Sequence, residues 1–239
     1  ILVEDVVIAL THNQDIKRIP MRSFQRSILD VEAVETRELD YIEFLEESAT
    51  DHKILLFTDT GNCYSITGMD IPEAKWREKG VQLAQLISGF DKTERIVGLI
   101  SVDDFNNHNN RFVQFYTEGG MIKRTSLKEY ESRFSKIQAC RLRNGDRVVA
   151  VELTEGNSDI LIVTEMGMSI CFKGSEVNPT GRTTIGVKAV QLKNNDKVIF
   201  AQEVDEEGEV IVVTDRGFVK RTLISDYVRQ GRGGVGFKT

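Results

Sequence analysis

Residues 54–66 read ILLFTDTGNCYSI, an apolar run, a threonine, two variable residues, a glycine and a second short run. The phrase recurs. Copies stand at residues 6–19 (VVIALTHNQDIKRI), 112–125 (FVQFYTEGGMIKRT), 160–172 (ILIVTEMGMSICF) and 210–222 (VIVVTDRGFVKRT). The shared threonines are Thr11, Thr58, Thr117, Thr164 and Thr214, spaced 47, 59, 47 and 50 residues apart. A period of this size marks a repeat architecture.

Each copy predicts a β-hairpin, near 6–20, 54–67, 112–127, 160–173 and 210–223. The last turn position needs positive φ and therefore glycine, supplied by Gly61, Gly120, Gly167 and Gly217. The first copy carries Gln14 there, so the strained conformation is expected at Asn13 or Asp15, whose short polar side chains tolerate it better. The runs ILLF, ILIV and VIVV are continuous rather than alternating, which predicts burial on both faces. A second strand pair per repeat is expected around the turns RNGD (143–146) and KNND (193–196). Four strands in about 50 residues is the size of a propeller blade. The chain therefore reads as one all-β domain, 1–239, a propeller-like disc of about five four-stranded blades. Neither a Trp-Asp dipeptide nor a Gly-His pair recurs, which sets it apart from WD repeats.

Composition agrees with a folded, non-membrane chain: 239 residues, 40% hydrophobic, 28% charged, and no apolar run of about 18 residues. Cys63, Cys140 and Cys171 are odd in number and widely spaced, which argues against a disulfide framework or zinc site and for a reducing, cytoplasmic setting. The opening Ile1-Leu2-Val3, with no initiator Met, reads as a piece of something longer. His12, His52 and His108 show no ligand or nucleophile spacing, and no catalytic constellation is evident. Asp103-Asp104 and Asn106 to Asn110 read as a loop that lengthens the second interval.

The net charge of -6 argues on its face against a polyanionic partner. Its distribution reverses that inference. Residues 30–59 hold ten acidic and two basic side chains, more than the whole deficit. Residues 111–147 carry nine Lys/Arg against four acids, and residues 215–239 six against two. A basic surface on an acidic chain is therefore expected.

Taken in order, the phrases EDVVIALTHNQDIKRIP, LLFTDTGNCYSI with IPEAKW, TEGGMIKRTSLKEY, ILIVTEMGMSICF with GRTTIGVKAVQL, and VIVVTDRGFVKRTLISDY resemble the C-terminal DNA-wrapping domain of the A subunit of bacterial type IIA topoisomerases. The resemblance spans essentially the whole chain. It implies a β-pinwheel, whose blades exchange strands, and nonspecific binding and bending of duplex DNA on a basic rim. It implies as partners double-stranded DNA, the breakage-reunion domain of the same polypeptide, and the ATPase B subunit. ATP and Mg²⁺ would serve other parts of the holoenzyme, with no cofactor in this domain. The nucleophilic tyrosine would also lie elsewhere, since Tyr41, Tyr64, Tyr116, Tyr130 and Tyr227 do not match it.

Within the family, the gyrase box Gln-Arg-Arg-Gly-Gly-Arg/Lys-Gly after the first hairpin is replaced by Phe24-Gln25-Arg26-Ser27-Ile28-Leu29. A partial copy, Gln230-Gly231-Arg232-Gly233-Gly234-Val235-Gly236, follows the fifth. Together with the resemblance of the region from Ile54 to Trp76 and the five-repeat count, this favours a topoisomerase IV origin of Gram-positive type over a DNA gyrase origin. The glycines at 231, 233 and 236 also satisfy a dinucleotide fingerprint, but only three residues follow and no helix can open there.

The phosphate contacts that the resemblance implies fall first on Lys17-Arg18, Lys123-Arg124 and Lys220-Arg221. Flanking cations are Arg22, Arg26, Lys128, Arg133, Lys136, Arg229 and Arg232. Lys75, Arg77 and Lys79 would serve repeat two, and Lys173, Arg182 and Lys188 repeat four. The same dipeptides suit an edge strand blunted by charge, and consecutive strand residues point to opposite faces, so one of each pair at most lies on a given surface. Trp76 is expected to pack between blades. The acidic residues 30–47 read as a helix or a solvated arm, with repulsion of DNA as the sharper alternative. A propeller-type protein-interaction scaffold is the rival from another class.

Overall fold

The computed structural model describes residues 2–29, 40–107 and 110–239. The first repeat forms β1 (Asp5–Thr11), β2 (Asp15–Pro20), α1 (Met21–Leu29) and β3 (Ile42–Ala49). The second forms β4 (Lys53–Thr58), β5 (Asn62–Thr67), β6 (Val81–Gln82), the one-turn α2 (Leu83–Leu86) and β7 (Ile96–Val102). In the third are β8 (Phe112–Thr117), β9 (Met121–Ser126), β10 (Lys136–Gln138) and β11 (Val148–Thr154). The fourth has β12 (Asp159–Thr164), β13 (Met168–Lys173), β14 (Val187–Lys188) and β15 (Val198–Val204). β16 (Glu209–Val213), β17 (Val219–Leu223) and β18 (Phe237–Lys238) complete the fifth.

The recurring threonine has a structural task. Its hydroxyl accepts the N–H four residues on, at Asp15, Asn62, Met121, Met168 and Phe218, within 3.0–3.1 Å in every copy. Its carbonyl accepts the N–H of the positive-φ residue, so both ends of the turn are tied to one residue. Gly61, Gly120, Gly167 and Gly217 all have positive φ, as expected. In the first copy Gln14 itself takes φ 67°, not Asn13 or Asp15. Its side-chain oxygen accepts the Ile96 N–H at 3.1 Å, a tertiary bond that offsets the local strain.

Four sheets are antiparallel and four-stranded, in the orders β3-β1-β2-β6, β10-β5-β4-β7, β11-β8-β9-β14 and β15-β12-β13-β18. In each, the hairpin is flanked by its own repeat's long strand and by a short strand from the next repeat. The turns RNGD and KNND therefore do not close hairpins within a sheet. Gly145, Asn194 and Asn195 give them the positive φ expected of turns, yet β10 and β11 join different sheets, as do β14 and β15. Glycine permits the strand exchange. A methyl on Gly80, Gly186 or Gly236 would press on the carbonyl oxygen of Ile16, Ile122 or Ser169 in the receiving hairpin.

The fifth hairpin departs from the expectation of five four-stranded blades. β16 and β17 pair only with each other among the described residues. ILLF and ILIV are buried throughout, whereas in VIVV Ile211 and Val213 are 63% and 64% exposed, one face of β16 being open to solvent. Of the acidic stretch, residues 30–39 lie outside the described residues. The part that follows forms β3 rather than a helix.

The chain divides into two compact units, Ile1–His108 with Tyr130–Ala139, and Asn109–Glu129 with Cys140–Thr239. The first unit holds the first two sheets, with Ile8, Leu10, Ile16, Ile54, Leu56 and Tyr64 among its fully buried core. The second holds the remaining three, around Tyr116, Ile122, Ile160, Ile162, Ile170 and Phe172. Each such aliphatic side chain contributes about 1.5–3 kcal/mol by leaving water. Among the described residues no helix is long and apolar enough to cross a membrane.

Candidate nucleic-acid interface

The Lys-Arg dipeptides are put to two different uses. In repeat one Lys17 is buried, and its ammonium donates to the carbonyls of Lys75 (3.2 Å), Trp76 (2.6 Å) and Glu78 (2.7 Å). Arg18 is half-buried, 3.4 Å from the Ile71 carbonyl and 3.9 Å from Glu73. In repeat three Lys123 is 1% exposed and donates to the Thr125 hydroxyl (2.8 Å) and the carbonyls of Arg182 (2.7 Å) and Gly181 (3.5 Å). Burial lowers its pKa to about 8, against smaller opposing effects of Cys140 and Glu129.

Arg124 is 3% exposed. Its guanidinium donates to Gln114 Oε1 at 2.6 and 2.8 Å and to the carbonyls of Gly174 and Val177. Glu203 lies 4.0 Å away, and beside it Glu152 accepts the Tyr116 hydroxyl at 2.5 Å. Burial raises the pKa of both carboxyls. Lys17, Lys123 and Arg124, expected as phosphate contacts, are thus interior braces. The alternation of strand side chains sends them to opposite faces as foreseen, but both faces are covered.

Repeat five is the converse, with Lys220 and Arg221 both exposed and Arg221 paired to Glu209 at 2.5 Å.

The remaining predicted cations sort by their neighbours. Arg229 pairs with Asp159 (2.5 Å) and Glu206, and Lys136 lies 3.7 Å from the buried Glu94 and over the Tyr64 ring. The Tyr64 hydrogen bond, opposed by desolvation, raises the Lys136 pKa. Arg232 donates to the carbonyls of Glu176 (3.2 Å) and Lys188 (2.6 Å), and Lys188 to Gln191 (2.6 Å). Arg182 is half-buried beneath Lys123's carbonyl contacts, and Lys128 is exposed. Arg22, Arg26, Lys75, Arg77, Arg133, Lys173 and Lys220 are exposed with no carboxylate partner among the described residues.

Four of these seven cations lie along one short stretch of surface. Arg22 and Arg26 stand four apart on α1, one turn of helix. Phe24, between them, packs edge-on against Trp76 with ring centroids 5.5 Å apart, which brings Lys75 and Arg77 beside the helix. Lys17 holds the loop from below. This makes Trp76 a packing residue, as its sequence context indicated, and gathers four cations that have no carboxylate partner among the described residues.

Sequence reasoning missed two carboxylates. The Arg182 N–H donates to Glu129 at 2.6 Å, and the Arg232 N–H to Glu176 at 2.8 Å. Each glutamate stands three residues after its hairpin, a regularity visible in the repeat alignment once the loops are aligned on Gly186 and Gly236.

The family model described as "DNA gyrase C-terminal domain, beta-propeller" matches residues 52–103, 115–155, 158–205 and 208–237. The chain belongs to the DNA gyrase C-terminal domain family. It is the C-terminal β-pinwheel type found in the A subunits of type IIA topoisomerases. The DNA gyrase A subunit of Clostridium acetobutylicum is 45% identical over 99% of the chain, and that of Staphylococcus aureus strain MRSA252 37% identical over 99%. The chain spans only 29% and 27% of those proteins. Among solved structures, the C-terminal domain of DNA topoisomerase IV aligns with TM-score 0.87 at 29% identity, over 100% of this chain and 73% of that one. The E. coli ParC C-terminal domain, at TM-score 0.74 and 15% identity over 99% of this chain and 94% of that one, shares the fold.

Proposed function

We propose that the chain is the DNA-wrapping module of a gyrase-type A subunit, which binds and bends duplex DNA through its phosphates and presents a segment to strand-passage machinery held elsewhere. The observation that carries the gyrase reading is the 45% identity, over 99% of the chain, to the Clostridium acetobutylicum gyrase protein. This weighs against the preference for topoisomerase IV drawn from the missing box, the region from Ile54 to Trp76 and the repeat count. The module itself is non-catalytic, and its partners are duplex DNA, the breakage-reunion domain and the ATPase B subunit.

The exposed cations suit phosphate contact without base readout. Bending over tens of degrees costs several kcal/mol, so contacts spread along the chain are needed, and Arg22, Arg77, Arg133, Lys173 and Lys220 are so spread in sequence. The topoisomerase IV reading keeps one specific support, the TM-score of 0.87 to that enzyme's C-terminal domain.

The test is a full-length A subunit with this domain, reconstituted with its B subunit on relaxed plasmid with ATP. Gain of negative supercoils supports gyrase; relaxation and decatenation alone support topoisomerase IV. Separately, the chain should bind long duplex with a log-log salt slope of about -0.9 per phosphate neutralised. Absence of binding at low salt would favour the protein-scaffold reading.

A further inference from the structure

Three loops dock on a receiving hairpin in the same way. Residues 75–80, 181–186 and 231–236 each end in the glycine that presses on β2, β9 or β13. The residue before each loop donates its N–H to the same hairpin position: Ala74 to the Arg18 carbonyl, Thr180 to Arg124, Gln230 to Cys171. The loops therefore align residue by residue, with Trp76, Arg182 and Arg232 equivalent.

At two of these three positions the main-chain N–H holds an anionic oxygen. Arg182 donates to the Glu129 carboxylate and Arg232 to that of Glu176. Glu129 and Glu176 each stand three residues beyond the end of their hairpin, at Ser126 and Lys173. The matching residue after Pro20 is Ser23, on α1. In repeat one no carboxylate takes this place among the described residues.

The Trp76 N–H nevertheless has the same orientation. A trans peptide points its C=O and N–H in opposite directions. The Lys75 carbonyl faces the Lys17 ammonium at 3.2 Å, as the Gly181 carbonyl faces Lys123 at 3.5 Å. The Trp76 N–H therefore points away from Lys17, and it has no acceptor among the described residues. The Trp76 and Glu78 carbonyls also face Lys17, which turns the N–H groups of Arg77 and Lys79 outward as well. Glu78 caps the N–H of Lys75 at 2.7 Å and Lys79 lies 3.8 Å from Asp15. Main-chain donors collected this way form an anion-binding concavity.

We propose that repeat one carries an open seat for a phosphate oxygen at the Trp76 N–H, flanked by Arg22, Arg26, Lys75 and Arg77, whose counterparts in repeats three and four are filled by the chain's own Glu129 and Glu176. The ligand is a phosphodiester of duplex DNA, so the inference rests on the proposed function and deepens it. Lys17 is the positioning residue, because it sets which way the loop's peptides face.

The experiment follows backbone amides of the isotope-labelled chain during titration with a short duplex and, in parallel, with inorganic phosphate at equal phosphate concentration. The duplex should move the Trp76 amide and leave those of Arg182 and Arg232 in place. In Glu176→Ala, which removes the acceptor, the Arg232 amide should become responsive. Ser23→Glu, which supplies the missing carboxylate, should weaken duplex binding about tenfold and lower the salt slope by about 0.9, with the charge-matched Gln25→Glu having a smaller effect. An unmoved Trp76 amide at saturation, or equal effects of S23E and Q25E, overturns the seat while leaving DNA binding intact. A response as strong to free phosphate overturns the duplex as its ligand. No duplex binding by the unmodified chain defeats the functional reading itself, and the seat with it.

Discussion

Repeats three and five carry nearly the same words, MIKRT and FVKRT, in the same strand of the same hairpin. In repeat three Lys123 and Arg124 are among the most buried polar residues described, while in repeat five Lys220 and Arg221 stand in solvent. The difference lies outside the words. β8 and β9 are flanked by β11 and by β14 from the next repeat, and that repeat's loop brings the carbonyls of Gly181 and Arg182 to Lys123. β16 and β17 have no flanking strand among the described residues. A cation on this strand becomes a brace or a surface charge according to what the following repeat delivers.

The largest expected effect comes from breaking the brace. Arg124→Ala removes four hydrogen bonds to Gln114, Gly174 and Val177 and strands Glu203, and should cost about 3–5 kcal/mol in urea unfolding, whereas Arg221→Ala should leave the midpoint in place. Equal losses would show that the two dipeptides are not differently used. Next is the delivery of the flanking strand. Gly186→Ala combines φ 86° with a clash on the Ile122 carbonyl and should cost about 2–4 kcal/mol, against about 1 kcal/mol for Gly217→Ala, whose φ is similar but whose surroundings are open.

A smaller effect shows in the pH dependence that the buried Lys123 confers. Lys123 has a folded pKa of about 8 against 10.5 unperturbed, so between these values the unfolded chain binds the extra proton. Stability relative to Lys123→Met should therefore rise as pH climbs from about 8 to 10.5. Smallest of all, Lys220→Ala should leave unfolding unchanged and reduce the DNA-binding salt slope by about 0.9, if that lysine meets a phosphate.

The hairpins were legible because their signal is local: a threonine that ties the turn, a residue at positive φ and two apolar runs all lie within 14 residues. Gln14 was misplaced because what holds it is Ile96, far along the chain. The strands around RNGD and KNND were foreseen, but not the sheet that each one joins, for a related reason. Turn chemistry says that the chain reverses, and it says nothing about which sheet each arm joins. The candidate site was half legible. Charge is written in the sequence, and Arg22, Arg26, Lys75 and Arg77 are exposed as expected. The burial of Lys17, Lys123 and Arg124 is decided by carbonyls arriving from about 60 residues away, which no reading of the hairpin contains. Glu129 and Glu176 were invisible as caps until the loops could be aligned in space.

Strand exchange also sets a timetable for biosynthesis. A ribosome releases β1 and β2 first, but β6, which closes their outer edge, ends at Gln82, 62 residues after Pro20. At about 5–20 residues per second the edge of β2 stays open for roughly 3–12 s. An open edge recruits stray strands, and adjacent lysine and arginine are a common deterrent. Until residues 71–78 arrive to cover them, Lys17 and Arg18 are the charges that this edge presents.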